Sequence, residues 1–286
     1  MVRLIFPRFP GFLTLTGYGL LIAFGLAALF GESLAPHSAH ALLAASDLPP
    51  DSEFYFGTDH LGRDVFSRVL EGTRYTILLA LGATLLSLVT GTIVGAIAGY
   101  FGGAVDLVVS RLIEVFLTIP RLFLVILLAA FLGSHTWVIV LVIGGTMWPI
   151  NARLMRAQAL TLRERAFVKA AELAGVSRWR ILFRHIIPNG LSPVLAKASL
   201  QIAEAILLEA GLSFLGLGDP SRISWGKMMQ EGQAGFPDAW WPEVFPGLAL
   251  ALLLIAIHLV GDSIRTGLAI SDGEASLAVP LAGARK

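Results

Sequence analysis

The chain has 286 residues, of which 56% are hydrophobic and only 14% are charged, with a formal net charge of +1. Soluble domains carry roughly 25% charged residues, and a mean hydropathy of +0.76 leaves too little polar surface to cover a soluble core. These values exclude an ordinary soluble domain and predict a polytopic membrane protein.

Six segments are long and apolar enough to be membrane spans, because a bilayer core of about 30 Å needs about 20 apolar residues per helix. They cover residues 12–30, 76–98, 112–132, 136–151, 198–218 and 245–261. The sequence therefore predicts an all-α bundle of six transmembrane helices. We divide it into an N-terminal anchor with an outer loop, a membrane core and a tail, at residues 1–75, 76–270 and 271–286.

Small residues and prolines within the spans predict how the helices pack. Gly91, Gly95 and Gly99 recur every four residues in the second span, a spacing that lets another helix backbone come close. Pro120 and Pro149 predict kinks.

The distribution of charge predicts the orientation of the spans. The loop of residues 153–197 carries nine basic and two acidic residues, whereas residues 31–75 carry three against seven and residues 219–246 carry two against four. Basic residues close to span ends are retained on the cytoplasmic side. We therefore expect the basic loop and both termini in the cytoplasm, an orientation that Arg3 and Arg8 also favour.

The first span also resembles a secretory signal, with a possible cleavage site at residues 39–41. Signal peptides have apolar cores of about 7–15 residues, and this segment is longer. We therefore expect it to be retained as a membrane helix.

The outer loop after the first span predicts a short helix. Thr58 or Asp59 is placed to cap it, with Val65 and Val69 on its apolar face. Three tryptophans around the second outer loop are typical of an aromatic belt at the membrane interface. They are Trp225, Trp240 and Trp241.

Three of the ionisable residues in the spans, apart from His258, suggest a polar path, because one charge at the bilayer centre costs at least about 2.5 kcal/mol. They are Arg121, Glu204 and Glu209. The two glutamates are about 140° apart around one helix, and they could face a water-filled path or a partner subunit. Alternatively, Glu209 could form a structural ion pair with Arg121 inside the bundle.

No complete enzyme signature is present. The HExxH, GxSxG and Walker A patterns are absent, and so is cysteine. His37 and His40 lie close together, but a solvated loop explains them better than a metal site. We therefore predict no catalytic residues, no metal and no cofactor, and we expect any nucleotide hydrolysis to be carried out by a partner.

The basic loop predicts two short helices. The first covers residues 164–173 and ends before Gly175, Ser177 is placed to cap the second, and Pro188 is placed to end it. Apolar residues lie on one face of the first helix, at Phe167, Ala170, Ala171 and Ala174. Such a helix could dock a cytoplasmic partner or lie on anionic lipid. The glycine turn and the small alanines favour docking.

The loop carries a family resemblance. Ala170, Ala171, Gly175, Ile181 and the run RHIIPN at residues 184–189 resemble the EAA loop of ABC-transporter importer permeases. Further motifs resemble, in the same order, the dipeptide/oligopeptide/nickel permeases: GTDHLGRD (57–64), AGYFGG (98–103), LSFLGLG (212–218), SWG (224–226) and GD (261–262). The resemblance covers roughly residues 55–265, and within this family the chain is similar to the C-type subunit of a permease pair.

That resemblance implies a type I ABC importer in the inner membrane that transports di- or oligopeptides, or alternatively nickel. The implied partners are a second permease subunit, two cytoplasmic ATP-binding subunits and an extracytoplasmic solute-binding protein, and no nucleic acid. The implied ATPase-coupling residues are Phe167, Ala170, Ala171, Gly175, Val176, Arg184, His185 and Pro188.

The chain departs from the family pattern at two places. Lys169 stands where the EAA loop has a glutamate, and residues 266–270 read TGLAI where the family has an acidic, DPR-like end. At these two places the sequence therefore does not predict the contact with the ATPase that the family pattern implies.

Two functions from other classes compete with this interpretation. In an ion-gradient-driven secondary transporter, Arg121, Glu204 and Glu209 would form a relay, and an inverted repeat would be expected; none is evident in the sequence. A membrane-embedded enzyme ranks last because no nucleophile or metal constellation is present.

Overall fold

The computed structural model describes the backbone of residues 12–277 and the side chains of residues 12–263. This part of the chain is helical, with no strand and one isolated bridge between Thr58 and Asp64. Its helices are α1 (Phe12–Leu34), α2 (Val65–Phe101), α3 (Gly103–Thr118), α4 (Arg121–Leu132), α5 (Thr136–Leu162), α6 (Ala166–Leu173), α7 (Arg178–Ile181), α8 (Ile187–Gly190), α9 (Ser192–Phe214), α10 (Trp225–Gly232) and α11 (Trp241–Leu277).

The predicted membrane bundle is confirmed. Helices α1, α2, α5 and the Trp241–Ser263 part of α11 are each long and apolar enough to cross a membrane, and two bent helix pairs raise the number to six if each pair is one span. Helix α2 runs without a break through residue 75, the predicted domain boundary. Arg3, Arg8 and residues 278–286 of the predicted tail lie outside the described residues.

Helix α1 lies at the edge of the bundle. Its only buried residues are Gly17 and Gly31, and it packs against α2 and α11. A Cβ atom on Gly31 would lie 2.7 Å from the carbonyl oxygen of Leu70 in α2. Helix α1 therefore packs closely on α2 near its C-terminal end; its retention as a membrane helix stays a prediction.

The glycine seam of α2 forms the tightest helix contact of the bundle. A Cβ atom on Gly91 would lie 2.5 Å from Cβ of Asn151, and one on Gly95 would lie 2.2 Å from the carbonyl oxygen of Ala152. One on Gly99 would lie 2.5 Å from the carbonyl oxygen of Arg156. Helices α2 and α5 therefore touch backbone to backbone, as the four-residue spacing predicts.

The third predicted span is not one straight helix. Helices α3 and α4 meet at an angle of 91°. Ile119, between them, has an extended backbone (φ −84°, ψ 129°) and precedes Pro120, which has no N–H to continue a helix. The kink expected at Pro120 is therefore a complete break, and α4 starts afresh at Arg121.

The two loops that we predict to be outer, after α1 and after α9, fold together into one cap. The segment predicted as a short helix is the first part of α2, and its N-cap is Asp64, whose Oδ2 accepts a hydrogen bond of 3.0 Å from the Ser67 amide. The prediction that Thr58 or Asp59 caps this helix is wrong: Thr58 bonds the earlier part of the loop, and Asp59 accepts from the amides of Leu61 and Arg63. Thr58 Oγ1 donates to the carbonyl of Ala45 at 2.9 Å.

Two of the three tryptophans do not lie in an aromatic belt. Trp225 is fully buried and donates from Nε1 to the carbonyl oxygen of Val69 at 3.0 Å. Trp241 is also buried and donates to the carbonyl oxygen of Thr58 at 2.9 Å. Their indole N–H groups pair with backbone oxygens, so these residues tie the second outer loop to the first. Trp240 is exposed.

A four-charge cluster joins the two outer loops. Arg68, whose side chain is 2% exposed, donates at 2.7 Å to both Asp59 and Glu231, and Arg63 contacts the same two carboxylates at 2.7 and 2.8 Å. Glu231 belongs to α10, whereas the other three residues lie in the first outer loop and the start of α2. Asp59 and Arg63 of the GTDHLGRD motif therefore help to tie the loop after α1 to α10.

We expect Arg68→Met to reduce the free energy of unfolding by about 3–5 kcal/mol, because Asp59 and Glu231 are then left with Arg63 as their one cation in the cluster, and one largely buried negative charge is uncompensated. Arg111→Ala is the matched control: its ion pair with Glu114 is exposed and worth at most about 1 kcal/mol. Thermal unfolding of the purified variants measures both. Equal losses in the two variants would contradict a structural role for the cluster.

Asp219 caps the N-terminus of α5. Its carboxylate accepts hydrogen bonds of 2.9 and 2.6 Å from the amide and hydroxyl of Thr136, and of 2.9 and 2.6 Å from the same groups of Ser221. Burial alone would raise the pKa of Asp219, but these hydrogen bonds prevail and lower it to about 2.

We expect Asp219→Asn to lower the free energy of unfolding at pH 7 by about 2 kcal/mol, the value implied by this pKa depression. Since the folded-state pKa lies below the ordinary value, the carboxylate stabilises the fold above about pH 4 and loses that effect as the pH falls towards 2. The stability gap between wild type and variant should therefore narrow over that range. A gap that does not change with pH would contradict this account of the cap.

Candidate functional site

The basic loop folds into a helical unit that we call the coupling module, formed by α6, α7, a π-helical turn (Leu182–Ile186) and α8. Helix α6 ends as predicted: Gly175 adopts a left-handed backbone (φ 74°), and the Val176 amide donates to the carbonyl of Ala171 at 3.1 Å. The prediction that Pro188 ends the second helix is wrong. Pro188 lies in the first turn of α8, where a missing N–H is tolerated.

One side of the coupling module is built into the membrane bundle. Val168 of α6 is fully buried, as are three residues of the following segment, Ile181, Leu182 and Ile186. They form a hydrophobic cluster with Ala96 and Tyr100 of α2, Met155 and Ala159 of α5 and Val194 of α9. A displacement of α6 is therefore passed directly to three spans, since close-packed interiors transmit strain.

Polar contacts hold the same side in place. The Tyr100 hydroxyl donates to Glu172 of α6 at 3.2 Å, and Arg163 donates to the carbonyl oxygen of Gly99 at 3.2 Å. The first contact joins the coupling module to the C-terminal end of α2, and the second joins that end to Arg163, the residue that follows α5.

The coupling module also exposes apolar side chains, which lie among exposed arginines such as Arg178 and Arg180. Leu173 is 90% exposed, and Phe167, Trp179 and Phe183 are about half exposed. A surface of this kind typically marks an interaction site. The sequence interpretation missed Leu173, Trp179 and Phe183, because an apolar residue in or beside a short helix is more often buried than exposed. For Leu173 one cue was available: it lies on the opposite side of the helix from Val168.

The structure divides the predicted coupling residues between these two sides. Ala171 and Val176 pack against the buried cluster, whereas Phe167, Ala170, Gly175, Arg184 and Pro188 are exposed. His185 is half-buried, with its ring 6.3 Å from that of Phe167. Lys169 forms an ion pair with Glu164 of its own chain at 3.3 Å.

Among the predicted path residues, Arg121 pairs with Glu204 of α9. The alternative pairing of Arg121 with Glu209 is wrong, since the two glutamates lie on different sides of α9 and only Glu204 faces the start of α4. The Glu204 side chain remains 43% exposed. The ion pair lies at the break between α3 and α4 and at the middle of α9.

Glu209 is fully buried near the C-terminal end of α9. One carboxylate oxygen accepts a hydrogen bond of 2.7 Å from Ser213, and the other has no hydrogen-bond partner in the described part of the chain. Helix α10 covers this region, since a Cβ atom on Gly226 would lie 2.3 Å from the carbonyl oxygen of Ala210. The structure therefore does not bring Glu209 together with Arg121 and Glu204.

Within the described residues, no group of three or more histidine or acidic side chains is arranged to hold a metal ion. His37 instead stacks on Phe54 at 5.1 Å, and His40 contacts Glu71 at 3.1 Å.

Comparison with known proteins agrees with this geometry. A family model described as a binding-protein-dependent transport system inner membrane component matches residues 91–269. The probable D,D-dipeptide transport system permease protein DdpC of Escherichia coli K12 is 40% identical over 256 residues, which cover 88% of this chain and 86% of that protein. The dipeptide transport system permease protein DppC of Alkalihalophilus pseudofirmus is 35% identical over 258 residues, covering 90% and 85%.

A solved structure shares the fold. A chain of the MetNI methionine ABC transporter in an inward-facing conformation superposes with a TM-score of 0.54 at 19% identity, covering 70% of this chain and 95% of its own. The expected type I importer architecture is confirmed by this match and by the helical bundle, and the family resemblance of the motifs is confirmed by the relatives. The chain belongs to the family of binding-protein-dependent transport system inner membrane components.

Proposed function

We propose that this chain is the non-catalytic permease subunit of an ATP-driven importer of di- or oligopeptides. It forms the translocation path together with a second permease subunit. The relatives named as dipeptide permeases support the peptide substrate, and nickel is the alternative within the family. Residues 1–75 would act as an anchor and outer loop, residues 76–270 as the core and residues 271–286 as a cytoplasmic tail.

The two-sided coupling module is the observation that carries this function. Its exposed apolar side, with Leu173 at its tip, would dock a cytoplasmic ATPase, while its buried side is continuous with α2, α5 and α9. Closure of two ATPases on ATP would move the module as a rigid body and tilt the spans between outward-open and inward-open states. The charge distribution favours this orientation, with the basic module and both termini in the cytoplasm.

The Arg121–Glu204 pair marks the proposed translocation path. A half-exposed carboxylate at mid-span is costly against lipid, so its exposed side should face water or the second permease subunit. A broken helix at membrane depth is tolerated where it lines a cavity or packs in protein, and discontinuous helices build the substrate sites of many transporters. Glu209, which is covered by α10, would instead support the outer half of the bundle.

The outer cap would receive the solute-binding protein. Both outer loops are net acidic, and the cluster of Arg63, Arg68, Asp59 and Glu231 joins them into one platform. Because this platform includes the start of α2 and α10, a binding protein that docks on it would act on both helices together.

Reconstitution of the complete importer tests the substrate. We expect dipeptides or oligopeptides, delivered by the binding protein, to stimulate ATP hydrolysis and to accumulate in ATP-loaded vesicles. Stimulation by Ni²⁺ alone would assign the nickel alternative. Uptake driven by an ion gradient without ATP would contradict an ABC importer.

We expect Glu204→Gln to lower peptide transport about tenfold or more while the subunits still assemble, because Arg121 is left with an uncompensated charge at membrane depth. Glu32→Gln is the control, since Glu32 is exposed near the end of α1 and belongs neither to the path nor to the coupling module. Vesicle uptake and gel filtration measure transport and assembly. An unchanged transport rate in Glu204→Gln would remove this pair from the path.

A further inference from the structure

A cavity of about 380 Å³ lies between α3 and α5. Its polar lining comes from Arg153 and Arg156 of α5 and from Ser110, Glu114 and Thr118 of α3. The volume falls within the range of about 300–1,000 Å³ that is typical of small-ligand sites. Arg156 packs against Gly99, at the C-terminal end of α2 that contacts the coupling module through Tyr100. The cavity therefore lies beside the coupling module and away from the outer cap.

The charges that line the cavity are unequally matched. Arg156 is held by Asp106 of α3, with one hydrogen bond of 2.7 Å, and Glu114 is held by Arg111 at 2.7 Å. Arg153 is exposed and forms no hydrogen bond or ion pair within the described part of the chain. The site therefore offers one guanidinium group without a partner, which is complementary to a phosphate or carboxylate.

The surroundings of the cavity are apolar. Ile113 is the one fully buried residue of α3, and Leu107, Leu112 and Val115 are exposed. Helix α3 packs mainly against α2 and α5 and is peripheral to the bundle. A ligand in this cavity would thus combine an anionic group at Arg153 with apolar parts along the outer side of α3.

We propose that the cavity between α3 and α5 binds an anionic phospholipid, whose phosphate contacts Arg153 and whose acyl chains lie on the exposed side of α3. Basic pockets between transmembrane helices on the cytoplasmic side suit such head groups, because anionic lipids are concentrated in that leaflet. Thr118, at one end of the cavity, lies three residues before Arg121, so a dipeptide must be tested as well to separate a lipid site from the proposed translocation path. This inference rests on the proposed orientation and not on the peptide substrate.

Native mass spectrometry of the purified permease complex tests the proposal, with phosphatidylglycerol, phosphatidylcholine and inorganic phosphate as separate probes. We expect phosphatidylglycerol to be retained at about tenfold lower concentration than phosphatidylcholine, and Arg153→Ala to remove this preference. Arg222→Ala is the matched control, because Arg222 is an exposed arginine outside both the cavity and the coupling module and its loss should not change lipid retention.

A second variant separates the cavity from the charge. Ser110→Phe fills the cavity and keeps Arg153, and it should also abolish the preference while the complex elutes normally on gel filtration. Retention of phosphatidylglycerol by both variants would overturn the proposal. Displacement of the lipid by inorganic phosphate at equal concentration, or by a dipeptide, would also overturn it, in favour of a free-anion site or a solute site.

Discussion

Gly95→Leu should prevent the accumulation of folded protein. A Cβ atom at this position lies 2.2 Å from the carbonyl oxygen of Ala152 and 2.8 Å from its Cα atom, so the side chain meets backbone that cannot rotate away. Overpacking typically lowers the free energy of unfolding by about 1–3 kcal/mol. Here the leucine side chain would also push α2 away from α5 along their whole seam. Yield of monodisperse protein after gel filtration, and the temperature of unfolding, measure the effect.

The chain provides a matched control in the same helix. A Cβ atom on Gly82 would meet only Val140, at 3.6 Å, which is ordinary contact. Gly82→Ala should therefore be neutral or slightly stabilising, because alanine favours a helix by up to about 1 kcal/mol over glycine. Gly95→Ala should destabilise despite the same helix preference. If the two alanine variants unfold at the same temperature, the seam does not hold the bundle together.

Leu173→Asp should abolish transport-coupled ATP hydrolysis while the membrane bundle stays folded. Leu173 is 90% exposed and supports no contact within its own chain that its loss would break. A charge at the centre of an apolar docking surface should weaken ATPase binding about tenfold or more, as is usual for a central interface residue. Co-purification of the ATPase and substrate-stimulated hydrolysis measure the loss.

Two companion variants separate docking from folding. Leu173→Met keeps an apolar side chain of similar volume and should retain coupling. Val168→Asp places a charge in the buried cluster and should lower the temperature of unfolding, which Leu173→Asp should not. Normal coupling in Leu173→Asp would show that the ATPase docks elsewhere.

The features that the sequence predicted are those governed by local spacing and composition. Long apolar runs specify the spans, glycines four residues apart specify the α2–α5 seam, and Gly175 specifies the left-handed end of α6. Each depends on residues close together in the chain, so the pattern alone carries the information.

The features that were missed depend on contacts between distant segments. The break at Pro120 is complete because α3 and α4 each pack on different parts of the bundle. Trp225 and Trp241 are buried because their indole N–H groups find carbonyl oxygens in another loop. Glu204 rather than Glu209 pairs with Arg121 because the angular position of α9 is set by its neighbours.

The absence of cysteine from the natural sequence allows the central claim, that the exposed side of α6 docks a cytoplasmic ATPase, to be tested with single introduced cysteines. Leu173→Cys in the assembled importer should form a cross-link to the ATPase subunit and should not be labelled by an impermeant thiol reagent from outside. Leu42→Cys, an exposed position in the first outer loop, should show the reverse. Labelling of Leu173→Cys from outside, or its failure to reach the ATPase under any nucleotide condition, would contradict the account.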